Sequence, residues 1–489
     1  MMKFFIPFLL GAVSLSINAS ETTNSEATVI ISAKNLAGRQ IVYHRSYNGV
    51  YLTTFTPIEL SADSTFTLTL PTENVERVGL LTRDPNNTLP STFQTFYALP
   101  GITQVIVDPL AEENGVIVPP TGNSLDAKAA NSADAMYQDI WFPLVTGRKD
   151  KLGLRDDTIP ATAIKKLNIY TDSINQAYSE ATPEVRQALE NDIRLEYLMI
   201  IDQCADIAGK KGDNEAWEQY LSRVRNSINM SDPANARNPF FAQFIANTFF
   251  FKDNFPDGSF PQDISPDSLL QMKTDYYLKK LSGKAAESAI GTMLYEDSAS
   301  GQYSPGIPTF TEKFKKLFPE SGLITLLDEK VIDNQTFNHP ESSNEIIFID
   351  NSTIKNLTDL LTPYKGKPIL IDLWATWCGP CRESFSHVEP IQKYAEENGI
   401  QLLYISIDDQ PNIENKWKRM ANYYNLKGHH VLINPDIRQE VYSTFGTNDT
   451  LMIPLLAIVN RNGEITVCPQ SLATTADFTP LRNLLDQVK

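Results

Sequence analysis

Cys378 and Cys381 bracket Gly379 and Pro380, which sets two thiols three residues apart, about one helical turn. Just upstream, Pro368-Ile369-Leu370-Ile371-Asp372-Leu373 is a short, nearly continuous apolar run of the kind that forms a buried strand. Downstream, Arg382 through Tyr394 reads as a helix. A Cys in the first turn of a helix sits among unpaired backbone N–H groups, where the helix dipole also favours negative charge. Such a thiol ionises more readily, and the thiolate is the reactive form. The second Cys is close enough to close a small disulfide ring, and Pro380 stiffens the intervening turn. These residue types at this spacing point to redox chemistry.

A Cys-x-x-Cys pair can also be half of a zinc site, which then needs two more ligands at compatible spacing. The chain offers only Cys204 and Cys468, both solitary, and five His, of which only His429 and His430 are adjacent. No second ligand pair follows, so no metal is expected. The strand-to-helix setting fits a thioredoxin-like redox motif instead. Asp408-Asp409 could be taken for a metal site, but adjacent carboxylates after a strand more often cap a loop.

The segment Ile369–Cys381, with Trp374-Ala375-Thr376-Trp377-Cys378-Gly379-Pro380-Cys381 at its end, resembles the active-site strand and helix start of the thioredoxins. The resemblance implies a thioredoxin fold and makes Asp372, six residues before the first Cys, a buried carboxylate that assists proton transfer at Cys381. Thr450–Val459 resembles the family's cis-proline segment, which implies a cis Ile453–Pro454 bond and a backbone edge for docking substrate. Trp377, Gly379, Pro380, Ile453 and Pro454 would then form the docking surface. Extra material between the two motifs, roughly Asp408–Thr450 with a helix around Asn412–Tyr424, is similar to that of the extracytoplasmic TlpA-like thiol–disulfide oxidoreductases. Two positions depart from that branch. It carries Glu three residues and Pro five residues after the second Cys, where this chain has Ser384 and Ser386. The kink that this Pro introduces is therefore not expected.

The N-terminus reads as an export signal. Met1-Met2-Lys3 is positive, Phe4–Ile17 is apolar, and Asn18-Ala19-Ser20 offers a cleavage site, giving a signal peptide over residues 1–19. The run falls short of the roughly 20 residues that span a bilayer. The expected location is the periplasm of a Gram-negative bacterium. Four cysteines in 489 residues are too few for a disulfide-built scaffold. A redox pair in an oxidising compartment must be fed by an electron donor or act as an oxidant. A membrane-bound donor is the expected partner, and protein disulfides are the expected substrates. Cys204, on an apolar helix, and Cys468, after a strand, read as structural residues.

The elements that must position the pair divide the chain into three parts. Residues 27–118 alternate apolar and polar in short runs, among them Thr28–Ala33, Gln40–Tyr43, Thr65–Leu70 and Thr103–Val107, and read as an antiparallel, sandwich-like β domain. Residues 124–333 read as an irregular all-α domain. Thr182-Pro183-Glu184 starts one helix, and Val185, Leu189, Ile193 and Tyr197 recur along one face. Other helices are expected at 161–179, 214–229, 238–250 and 265–281. The aromatic run Phe240–Phe251 admits a ligand pocket, though a helix packed on its neighbours is the simpler reading. Residues 345–489 read as an α/β domain in which strands and helices alternate around a mixed sheet.

A net charge of −17 (42 basic, 59 acidic residues) without a dense basic cluster excludes nucleic acid as a partner. Lys416-Trp417-Lys418-Arg419 could meet an acidic partner, but a solvated helix face explains it more simply. The expected mechanism is dithiol–disulfide exchange, with Cys378 attacking and Cys381 resolving. Gly379-Pro380 resembles the pair of reducing thioredoxins, so a reductase is expected and no cofactor is called for. A disulfide isomerase and a binding protein with a regulatory redox domain are the alternatives.

Overall fold

A computed structural model of the chain describes residues 26–117, 165–209 and 228–488, less short stretches within each. The signal-like run, the break after residue 118, the start of the helical region and most of 214–229 lie outside the described residues.

The N-terminal strands form two sheets. Glu26–Ala33 pairs with Thr65–Pro71 on one side and Gly101–Val107 on the other. Gln40–Tyr47, Glu76–Arg83 and Thr92–Ala98 build the second sheet. Alternation does what its period requires. Ala27, Val29 and Ile31 point inward and are fully buried, and they share one core with Ile41, Val78 and Leu80 of the other sheet. One expectation is corrected. Glu26–Ala33 runs parallel to Gly101–Val107, so the region is not purely antiparallel. The strands between these two belong mainly to the other sheet, and that long excursion returns the chain in the same direction.

The helical region consists of Pro183–Gly209, a run from Phe241 to Asn254, Pro266–Lys280, Gly283–Ala299, Ile307–Leu317 and Ile324–Asn338. Ser265 caps Pro266–Lys280 by accepting the Ser268 N–H at 3.1 Å. Gly283–Ala299 is central and buried on nearly every side. At Gly291 a Cβ would lie 2.5 Å from Leu323 Cδ1, so a larger residue would force that side chain to shift. The last helix runs through Asn338, and its Phe337 is buried against the C-terminal core.

That C-terminal part holds a six-stranded sheet in the order Ile346–Phe348, Gly428–Leu432, Gln401–Ser406, Ile369–Trp374, Leu455–Val459, Ile465–Val467. The first four strands are parallel and the last two antiparallel to their neighbours. Strand Ile369–Trp374 lies inside the sheet, and Ile371, Leu373 and Trp374 are fully buried. The segment expected as a helical insertion also supplies strand Gly428–Leu432 and helix Pro435–Phe445. Gly428 sits at φ +135°, where a Cβ would meet Leu402 O at 2.7 Å. His430 of that strand is buried, stacks on Tyr404 with ring centroids 4.6 Å apart, and donates from Nε2 to Leu426 O. Burial pushes its pKa down to about 4. It is a neutral core residue.

Candidate functional site

Strand Ile369–Trp374 ends at a tight turn in which the Cys378 N–H donates to Ala375 O at 3.0 Å. The helix Gly379–Phe385 begins there, with Cys378 as its N-cap and Pro380 in its first turn. Cys378 and Cys381 are joined by a disulfide, their Cα atoms 5.3 Å apart. The Cys381 N–H donates to Cys378 Sγ at 3.1 Å. That donor is one of the otherwise unpaired N–H groups of the helix start, and it would favour a thiolate on Cys378 after reduction. Cys381 is fully buried, whereas Cys378 keeps 4% exposure.

Around the pair, Trp377 and Pro380 are exposed and Gly379 is partly so. The Ile453–Pro454 bond is cis. Leu455 pairs with Leu373, so Pro454 lies at the sheet end where strand Ile369–Trp374 turns into the disulfide. Met452 beside it is 62% exposed and Trp377 is 54% exposed. Two large apolar side chains in water at one sheet end form a surface suited to an extended peptide. Asp372 lies within the same strand. Its Oδ1 is sealed from water and has no hydrogen-bond partner. Desolvation raises its pKa from 3.8 to about 7, so the carboxyl exchanges a proton near neutrality.

The active-site helix departs from expectation. It stops at Phe385, and a second helix, Glu389–Asn398, follows. The chain breaks although Ser386 stands where the kinking Pro was absent. Pro390 is the physical cause, since in the first turn of the second helix it has no N–H to continue the ladder.

Asp408, set aside in the sequence as a loop cap, holds the active-site turn. It is 2% exposed and accepts three hydrogen bonds. The Thr376 N–H donates at 2.9 Å, Thr376 Oγ1 at 2.8 Å and Ser406 Oγ at 2.6 Å. Thr376 stands two residues before Cys378, so the carboxylate fixes the turn that aims the disulfide. One sequence signal could have found it: Ser406-x-Asp408 follows the strand next to the Cys strand, and sites in such sheets gather at carboxyl ends. Replacing Asp408 with Ala leaves buried donors without an acceptor. The expected cost is about 3 kcal/mol, read as a lower urea midpoint at unchanged slope.

The basic cluster lies on a partly solvated helix face and also makes contacts within the chain. Trp417 is buried, Lys418 pairs with Glu414, Lys416 Nζ reaches Gln302 Oε1 at 3.3 Å, and Arg419 reaches Asn338 Oδ1 at 2.9 Å. Arg382, directly after Cys381, donates to Ala299 O at 3.4 Å and lies over Gly301, whose φ is +78°. Tyr303 stacks on Phe337 at 4.1 Å, and both touch Tyr423. Arg382, Lys416 and Arg419 thus join the helical region to the redox part, whereas Lys418 stays paired within its own helix.

Cys468 is a free, buried thiol whose pKa burial raises to about 11. The side chain of Cys204 lies outside the described residues. Among the described residues no group of His, Cys, Asp or Glu could hold a metal ion.

Residues 335–471 match the Redoxin family. The thiol-disulfide oxidoreductase ResA of Geobacillus thermodenitrificans is 23% identical over 106 residues, 22% of this chain and 55% of that protein. ResA of Bacillus subtilis is 20% identical over 180 residues, 36% of this chain and 96% of that protein. The chain thus spans about half the length of the first of these relatives. A solved thioredoxin domain of a Bacteroides vulgatus thiol-disulfide oxidoreductase aligns at 19% identity and TM-score 0.22, covering 26% of this chain and 84% of that one. A thioredoxin-like protein from Bacteroides caccae aligns at 14% identity and TM-score 0.21, covering 51% and 94%. The C-terminal part is thus similar to thioredoxin-like thiol-disulfide oxidoreductases.

Proposed function

We propose that the protein is an exported thiol–disulfide oxidoreductase that reduces protein disulfides through Cys378 and Cys381. The observation that carries this reading is the disulfide at the helix start, with the Cys381 N–H directed at Cys378 Sγ. The Redoxin match and the similarity to the ResA proteins support it.

In the reduced enzyme the Cys378 thiolate attacks one sulfur of a substrate disulfide. A mixed disulfide forms and the other substrate sulfur leaves as a thiolate. Asp372 takes the Cys381 proton, and the Cys381 thiolate attacks Cys378 Sγ. The substrate leaves with two thiols, and the enzyme holds the Cys378–Cys381 disulfide. Two electrons have passed to substrate, and a separate donor must return them. Trp377, Gly379, Pro380, Ile453 and Pro454 form the surface on which the substrate backbone docks.

The domain division proposed is a signal peptide at 1–19, a sandwich-like domain at 27–118, a helical domain at 124–333, and the redox domain at 345–489. The proposed location is the periplasm, with a membrane-bound electron donor. Among the described residues no helix is long and apolar enough to cross a membrane.

Insulin disulfide reduction by the full chain, with dithiothreitol as electron source, tests the activity. The expected result is a catalysed loss of insulin disulfides that is absent with dithiothreitol alone. A rate equal to that of dithiothreitol alone would refute the assignment.

A further inference from the structure

The helical region contains a cavity of about 530 Å³, within the size range of small-molecule sites. Its wall is largely apolar, with Phe251, Leu269, Tyr277 and Met293 contributing. Two opposite charges also line it, Lys273 from helix Pro266–Lys280 and Glu296 from helix Gly283–Ala299. They feel each other's field but are too far apart for an ion pair.

Neither charge makes a hydrogen bond or ion pair among the described residues. Lys273 Nζ is met by aromatic rings instead, with the Phe251 centroid at 5.2 Å and the Phe250 centroid at 6.0 Å. Burial lowers the Lys273 pKa against the pull of Glu296 and Asp297, and burial likewise raises that of Glu296. Asp297 is already engaged, accepting from Ser304 N–H and Ser304 Oγ. A half-buried cation and a half-buried carboxylate therefore face a common space, with no hydrogen-bond or ion-pair partner for either among the described residues.

The third wall carries a second, independent feature. Between Phe241–Ile245 and Phe251–Asn254 the backbone opens into a π-helical turn, Ala246–Phe250. Such turns are frequent at functional sites. Here the widened turn brings Ala246 and Asn247 to the cavity alongside Gln243. Both amides lack a hydrogen bond among the described residues. The aromatic run is thus divided in use: Phe241, Phe244 and Phe250 are buried core, and Phe251 lines the cavity.

We propose that this cavity binds a small zwitterion with an apolar body, of the amino-acid or short-peptide class. Its carboxylate meets Lys273 and its ammonium meets Glu296. The apolar body lies against Phe251, Tyr277 and Met293, and the free amides of Gln243 and Asn247 orient the backbone. The cavity rim includes Ala299 and Gln302, which also contact Arg382 and Lys416 of the redox part.

Isothermal titration of the full chain tests this, with L-leucine and leucyl-leucine as probes. N-acetyl-leucyl-leucine, lacking the ammonium, and leucyl-leucine amide, lacking the carboxylate, are the controls. The expected result is one saturable site for at least one zwitterion, weakened about tenfold or more by blocking either end. The preferred probe tells the free amino acid from the peptide. Lys273→Met and Glu296→Gln should each weaken binding by about tenfold or more, with an unchanged circular dichroism spectrum and unchanged insulin reduction. No saturable binding of either zwitterion up to about 10 mM would overturn the proposal. So would equal binding of the end-blocked peptides, or unaltered binding by both variants.

Discussion

Replacing Cys378 with Ser is expected to lower insulin disulfide reduction by on the order of 10³-fold or more, because it removes the attacking nucleophile. Replacing Cys381 with Ser is expected to be as damaging to turnover but to leave a distinct trace. Cys378 still attacks, and with no resolving thiol the enzyme accumulates as a mixed disulfide with substrate. Non-reducing electrophoresis and intact mass spectrometry read that species directly. The burial difference gives the assignment its direction, since Cys381 is fully enclosed and Cys378 lies at the helix start. A covalent adduct in Cys378→Ser, with none in Cys381→Ser, would reverse the two roles.

Asp372→Asn should act on stability and on rate in opposite senses. Unfolded, the carboxyl ionises near its ordinary value of 3.8, and folded it ionises near 7. Between these values the folded chain binds more protons than the unfolded chain. Stability from this group is therefore complete below about pH 4, falls as the pH rises to about 7, and levels off above. The full span corresponds to about 4 kcal/mol at most. The amide carries no charge at any of these pH values. Oxidised Asp372→Asn should therefore match the parent near pH 4 and exceed it by up to about 4 kcal/mol at pH 8 in urea unfolding. Turnover should fall by about 10²-fold, since Cys381 loses its proton acceptor. A variant that is no more stable at pH 8 than the parent would show that Asp372 is not buried as a charge.

Much of the site was legible because its parts are close in sequence. The apolar strand, the Cys pair and the helix start fall within Ile369–Phe385, and Leu455–Val459 announces itself as a second apolar strand. What was not legible depends on contacts between distant residues or on patterns that mimic something else. Strand Gly428–Leu432 is too short and too rich in His to look apolar, and its His430 is buried only because Tyr404 and the Leu426 carbonyl receive it. Helix Gly283–Ala299 shows no apolar stripe because it is enclosed all round, and Glu287, Ser288, Thr292, Asp297 and Ser298 are buried with it. The clasp of Asp408 on Thr376 joins residues 32 apart in the chain. The break after Phe385 was missed because Pro was sought at the position of Ser386, whereas Pro390 produces it.

The reducing direction of the proposed activity rests on Gly379-Pro380, and the reduction potential of the Cys378–Cys381 pair tests it most directly. The full chain is equilibrated against thioredoxin or glutathione redox buffers, and the reduced fraction is read by thiol-labelling mass spectrometry. An electron-fed reductase predicts a value near that of thioredoxin, roughly −270 mV. A value near that of a strong oxidant, roughly −120 mV, would contradict it and make the protein a donor of disulfides.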